Sequence, residues 1–143
     1  MTTLQQLDLN RTARDRIRAA GLRPTRQRVA LACLLFEPGA RHITAEALHS
    51  EASSAGFGVS LATVYNTLHQ FVRVGLLREI AVQPGRSYFD TNVADHHHFF
   101  HEARAELEDI ESVAVDLSSL PEPPAGTEIE RIDVVIRLSD RKS

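Results

Sequence analysis

The chain has 143 residues, 43% of them apolar and 24% charged, the balance of an ordinary globular protein with one domain or two small ones. No apolar run approaches the roughly 20 residues that span a bilayer, and the start, MTTLQQLDLNRTARD, has no basic segment followed by an apolar one, so neither a membrane partner nor a secretory signal is expected. Cys33 is the sole cysteine, which excludes an internal disulfide framework and a Cys-x-x-Cys zinc site and predicts a cytoplasmic protein.

The net charge of −3 conceals a split. Residues 1–85 carry ten Arg against six acids, whereas residues 86–143 carry six basic residues against thirteen acidic ones. A basic half joined to an acidic half predicts two tasks, with the basic half as the binder of a polyanion.

In chain order, NRTARDRIRAA (residues 10–20) reads as a short polar helix stopped by Gly21. Thr25 is placed to cap a second helix, whose apolar Val29, Leu31, Ala32, Leu34, Leu35 and Phe36 predict burial. Thr44 caps a third helix reaching about Ala55, with Ala47, Leu48, Ala52 and Ala55 at helical spacing. Ser60 caps the fourth, whose Leu61, Val64, Leu68, Phe71 and Val72 form one inward stripe. Its other face carries Thr63, Asn66, Thr67 and Gln70, with Tyr65 and His69 four apart on the flank. Gly75 ends that helix, and LLREIAV and RSYFDT flank a turn at Pro84-Gly85. Helices followed by a two-stranded hairpin predict a winged helix-turn-helix.

Beyond it, Leu120–Gly126 is a proline-rich connection that cannot be a central strand, and Ile132, Val134, Ile136 and Leu138 alternate as a half-buried strand. The predicted class is α+β: a winged-helix DNA-binding domain over residues 1–86, a hinge over 87–95, and a small α/β sensor and dimerisation domain over 96–143. So acidic a module would bury little apolar surface alone, and pairing through its sheet would help it.

A helix with small and polar residues on its outer face suits the DNA major groove. Thr63 and Asn66 offer donors and acceptors there, and Tyr65 adds a ring and a hydroxyl. Arg23, Arg26 and Arg28 are placed to bind phosphates, with Arg73 and Arg78 holding the flanks. Further on, DHHHFFH (Asp95–His101) holds four of the seven histidines. Imidazoles are common ligands of transition metals and of haem iron. In an extended segment His96 and His98 share one face while His97 takes the other, so the outer pair can grip one ion.

GLRPTRQRVAL, HITAEALH and VSLATVYNTLHQFVRVGLL together resemble the ferric uptake regulator superfamily, most specifically through Ala62–Tyr65, the Leu68–Phe71 step and the following Gly-Leu. The likeness runs from about Thr12 to Asp109. It implies a homodimer on an inverted-repeat operator in double-stranded DNA, acting mainly as a repressor in iron homeostasis. Tyr65 and the first turns of its helix, from Ser60 and Ala62 through Thr63 and Asn66, would then face bases, and the arginines near Pro24 the backbone. It also implies a divalent-metal site at His42, Asp90, His96, His98 and Asp109, a mixed nitrogen and oxygen set suited to Mn(II), Fe(II) or Zn(II). His101 and Arg104 stand where many members have the Cys-x-x-Cys of a structural zinc, so that zinc is not expected. HHHFF in cysteine-free surroundings resembles the iron response regulator branch, which implies haem as the signal, bound at His96, His97 and His98 with Phe99 and Phe100 against the porphyrin. The alternative signal is peroxide, a reading that fits two aspartates in the metal set. An enzyme is not expected, because five protein donors leave little room for substrate and no nucleophile stands nearby.

Overall fold

The computed structural model describes residues 2–111, 116 and 118–142, which divide into two compact units, Met1–Val93 and Ala94–Ser143. In the first unit α1 spans Thr3–Ala19, α2 Arg26–Phe36, α3 Ala45–Ser54 and α4 Leu61–Arg73. Local chemistry starts each one. Thr2, Thr25, Thr44 and Ser60 are all extended and accept a hydrogen bond from the backbone N–H three residues on, satisfying a donor the helix cannot. α1 begins seven residues before the predicted helix because Thr2 and Gln5 form a reciprocal capping box, Gln5 N–H to Thr2 Oγ1 at 3.1 Å and Thr2 N–H to Gln5 Oε1 at 2.7 Å.

The helices pack around Ile17, Leu31, Leu35, Leu48, Leu68 and Phe71, all fully buried. Gly75 sits at φ +80°, a conformation that favours glycine, and turns the chain out of α4. There β2 (Arg78–Gln83) and β3 (Arg86–Asp90) form the wing, and β1 (His42–Ile43) joins them in the order β1-β3-β2. The predicted hinge at 87–95 therefore opens as strand, since β3 runs to Asp90 and the first unit to Val93.

The second unit is a three-stranded sheet in which β4 (His97–His101) lies between β5 (Glu106–Ile110), antiparallel, and β6 (Val135–Leu138), parallel. Its described residues include no helix. Ile132 and Val134, predicted as strand, precede β6 without joining it, and β5 arises from an acidic stretch that carried no strand signal. No helix among the described residues is long and apolar enough to cross a membrane.

Candidate metal centre and nucleic-acid interface

Each unit builds a histidine–aspartate cluster on paired strands. In the first, His42 of β1 is the cross-strand partner of Asp90 of β3, which sets the two side chains on one face. His42 Nε2 lies 3.1 Å from Asp90 Oδ2, and the other carboxylate oxygen accepts the Asn92 N–H at 2.8 Å. Asp90 is 1% exposed, and a carboxylate this deeply buried requires positive charge or donors around it.

In the second unit, His98 of β4 is the cross-strand partner of Asp109 of β5, and His96, two residues earlier, adds its ring to the same place. Both Nε2 atoms lie 3.2 Å from one oxygen, Asp109 Oδ1, and the two rings are 4.5 Å apart. His96 and His98 are buried, and the Asp109 side chain is partly exposed.

The His96 tautomer follows from its other nitrogen. Nδ1 lies 2.5 Å from the Ala94 carbonyl oxygen, which can only accept, so Nδ1 carries the proton. In the neutral ring Nε2 then presents a lone pair to the Asp109 carboxylate. Two acceptors facing each other at 3.2 Å repel unless a proton or a cation lies between them. A ring that donates one N–H to a carbonyl and aims its other nitrogen at a carboxylate has the arrangement of a metal-ligating histidine with its outer partner.

His97 is engaged differently. Its Nδ1 accepts the Val134 N–H at 3.2 Å, which ties the residue before β6 to β4 and leaves the ring proton on Nε2. Phe99 is half-buried and Phe100 fully buried. At the positions matching the zinc cysteines, Arg104 Nη2 donates to His101 Nδ1 at 2.6 Å and His101 Nε2 donates to Glu108 at 2.9 Å.

On the candidate DNA face, Ser60, Ala62 and Asn66 are exposed, while Thr63 and Tyr65 are half-buried. Ser60 Oγ accepts the Thr63 N–H at 3.1 Å and donates to Thr63 Oγ1 at 2.9 Å, so part of their polarity is spent on starting α4. The Tyr65 hydroxyl donates to Glu46 Oε1 of α3 at 2.6 Å. That bond holds the Glu46 carboxyl below its ordinary range and pushes the Tyr65 phenol up.

Arg23 and Arg26 are exposed. Arg28 reaches Gln70 Oε1 of α4 with Nε at 3.3 Å and Nη2 at 3.0 Å, and the Arg23 carbonyl with Nη1 at 2.9 Å. It joins α2 to α4 as a strut. Arg73 is exposed, whereas Arg78 is buried at 3% in β2, so it does not hold a flank as predicted. Sequence reasoning also passed over Arg11, Arg14 and Arg18, all exposed on α1 beside a shallow groove. Their spacing of three and four residues was the available signal.

Four helices with a wing sheet, joined in one chain to a small sheet unit bearing a histidine–aspartate cluster, define a two-part winged-helix protein. The Ferric uptake regulator family matches residues 19–133, and the chain belongs to that family. The ferric uptake regulation protein of Vibrio parahaemolyticus is 33% identical over 90 residues, which is 63% of this chain. This chain thus spans about 58% of the length of the curated relatives it matches. Among solved structures, the ferric uptake regulator from Pseudomonas aeruginosa with manganese has a TM-score of 0.69 at 25% identity, covering 91% of this chain and 98% of the other. The Campylobacter jejuni peroxide stress regulator shares the fold, with a TM-score of 0.59 at 21% identity over 99% of this chain and 98% of the other.

Proposed function

We propose that this chain is a metal-responsive transcription regulator, not an enzyme, that binds operator DNA as a homodimer. One observation carries the metal reading: His96 Nε2 and His98 Nε2 both lie 3.2 Å from Asp109 Oδ1, while His96 Nδ1 is turned to the Ala94 carbonyl. The proposed ligands are His42, Asp90, His96, His98 and Asp109, each offering one donor atom. Three imidazole nitrogens and two carboxylate oxygens suit Mn(II), Fe(II) or Zn(II), and the set holds no thiolate for a softer ion. When bound, the cation would neutralise the Asp90 and Asp109 carboxylates.

DNA reading is assigned to Ala62, Thr63, Tyr65 and Asn66 of α4, with Ser60 fixing its first turn. Arg23, Arg26 and the α1 arginines Arg11, Arg14 and Arg18 are assigned to phosphates. Arg28 supports them by holding α2 against α4. Homodimerisation through the second unit is supported by its meagre core: Leu120, Ile129 and Ile136 stay exposed, and among its described residues the buried hydrophobic side chains are Phe100 and Ile110.

Iron status is the proposed signal. Haem is the second reading, supported by the HHHFF run of the iron response regulator branch. It requires β4 to open, because an axial ligand needs a free ring nitrogen at an accessible edge, and His96, His97 and His98 are all buried. Peroxide is the third, supported by the two aspartates.

The test is duplex selection from a random pool, then fluorescence anisotropy on the selected site with and without Mn(II). Tighter binding with the metal, lost in His96→Ala, is expected, and metal-independent binding would contradict the proposal. A haem titration read by absorbance, and a peptide mass map after peroxide seeking one added oxygen on His42 or His96, separate the three signals.

A further inference from the structure

His69 belongs to neither candidate site, yet it lies between the elements that carry them. It sits on α4 one turn after Tyr65, with ring centroids 6.1 Å apart and planes tilted by 40°. On its other side the Phe89 ring of β3 is 5.8 Å away, tilted by 54°. Both separations fall within the span over which tilted rings attract. His69 Nε2 also lies 3.7 Å from Glu79 Oε2, and Glu79 of β2 is the cross-strand partner of Phe89. The imidazole therefore rests on one Glu79–Phe89 rung of the wing.

That rung adjoins the first unit's histidine–aspartate pair. Phe89 precedes Asp90 in β3, and their side chains take opposite faces of the strand. Phe89 pairs with Ile43 of β1 while Asp90 pairs with His42, so the two rungs are consecutive. Phe89 is fully buried and Ile43 nearly so. Tightly packed side chains of this kind cannot absorb a strand displacement locally and pass it to their neighbours. At the far end the Tyr65 hydroxyl is held by Glu46, and its ring lies against that of His69.

We propose that His69 is a positioning residue that couples the His42–Asp90 rung of the wing to the reading face of α4, through Phe89 on one side and Tyr65 on the other. The proposal rests on the metal-dependent DNA binding proposed above. His69 is about half exposed, with 46% of its side chain accessible, so the core does not depend on it. Its contribution is to how α4 meets the wing, and hence to how strongly a cation at His42 and Asp90 alters the reach of Tyr65.

The experiment measures the ratio of operator Kd without and with Mn(II) for the full chain, for His69→Ala and for His69→Phe, alongside thermal melting and Mn(II) affinity in the absence of DNA. Coupling between linked sites is commonly at least about 5-fold. His69→Ala is expected to bring the ratio close to one while leaving Mn(II) affinity and melting near wild type. His69→Phe, which keeps a ring against both neighbours, is expected to retain most of the ratio. A wild-type ratio preserved in folded His69→Ala overturns the proposal alone, as does an equal loss of DNA affinity with and without metal, which would mark His69 as a simple DNA contact. A wild-type ratio of one overturns the underlying reading and this proposal with it.

Discussion

The first unit buries Ile17, Leu31, Leu35, Leu48, Leu68 and Phe71 completely, whereas the buried hydrophobic side chains among the described residues of the second are Phe100 and Ile110. In place of a larger apolar core the second unit buries His96, His97 and His98. Apolar burial stabilises a fold whatever else is bound. Buried imidazoles and carboxylates do so only when their partners are in place, which makes the second unit responsive to whatever supplies them. The wing shares this property at one rung, where His42 meets the buried Asp90. A stable first unit joined to a conditionally stable second unit is the arrangement that the proposed ligand-controlled DNA binding would need.

The largest expected effect breaks the first unit. Phe71→Ala should cost about 3–5 kcal/mol, the usual consequence of deleting a fully buried ring. Denaturant unfolding followed by far-UV circular dichroism measures it, and a loss below about 1 kcal/mol would contradict the packing described for α4.

Next comes the second unit. Mn(II) at a hundredfold excess over its Kd should add about 2.7 kcal/mol of stability, by mass action on the folded state alone. Asp109→Asn removes the carboxylate charge facing both His96 and His98 and should abolish most of that increment, while the helical signal of the metal-free protein stays as it was. An undiminished increment in the variant would move the ion elsewhere.

A smaller effect is expected at the strut. Arg28→Ala breaks the bonds to Gln70 and the Arg23 carbonyl and should cost about 1–2 kcal/mol in melting experiments, without altering the increment from metal. If DNA affinity falls while melting is unchanged, Arg28 is a phosphate contact and not a strut.

The smallest concerns Tyr65. Tyr65→Phe should cost under about 1 kcal/mol, because its bond to Glu46 is largely exposed. The Glu46 carboxyl is lowered in the folded chain, so its stabilisation is present above the ordinary carboxylate range and disappears as pH falls through the lowered value. The Tyr65 phenol is raised, so the same bond survives below the ordinary phenol range and is lost as pH rises through the raised value. The difference between wild type and variant should therefore form a plateau around neutrality and close at both extremes. A difference that does not change with pH would mean that the Tyr65–Glu46 bond is absent in solution.

What was legible in the sequence follows the range of the forces involved. The caps at Thr25, Thr44 and Ser60 act over three residues, and all of them sit where a local reading puts them. The capping box at Thr2 was equally local but was masked by the polarity of the first turns of α1. β1 has two residues and therefore no period to detect, and β5 has three acids in five residues and exists through its pairing with β4. The alternation of His96 and His98 was readable from the run itself, and both rings meet Asp109. Neither Asp90 nor Asp109 carried a signal of its own, because cross-strand register brings them to histidines far away in the chain. Only the family resemblance named them. Arg78 was misjudged for the related reason that charge alone suggests a solvent-facing role, while burial in the wing decides otherwise, and the bonds of Arg28 to Gln70 were equally invisible in the sequence.

Binding of one divalent cation by the proposed histidine and aspartate ligands is tested by titrating metal-free protein with Co(II) and recording its visible spectrum. The expected result is saturation at one ion per chain, a spectrum of nitrogen and oxygen ligation without a thiolate charge-transfer band, and loss of that spectrum in His96→Ala and Asp90→Asn alike. A spectrum that survives both substitutions, or one that carries thiolate character from Cys33, would contradict it.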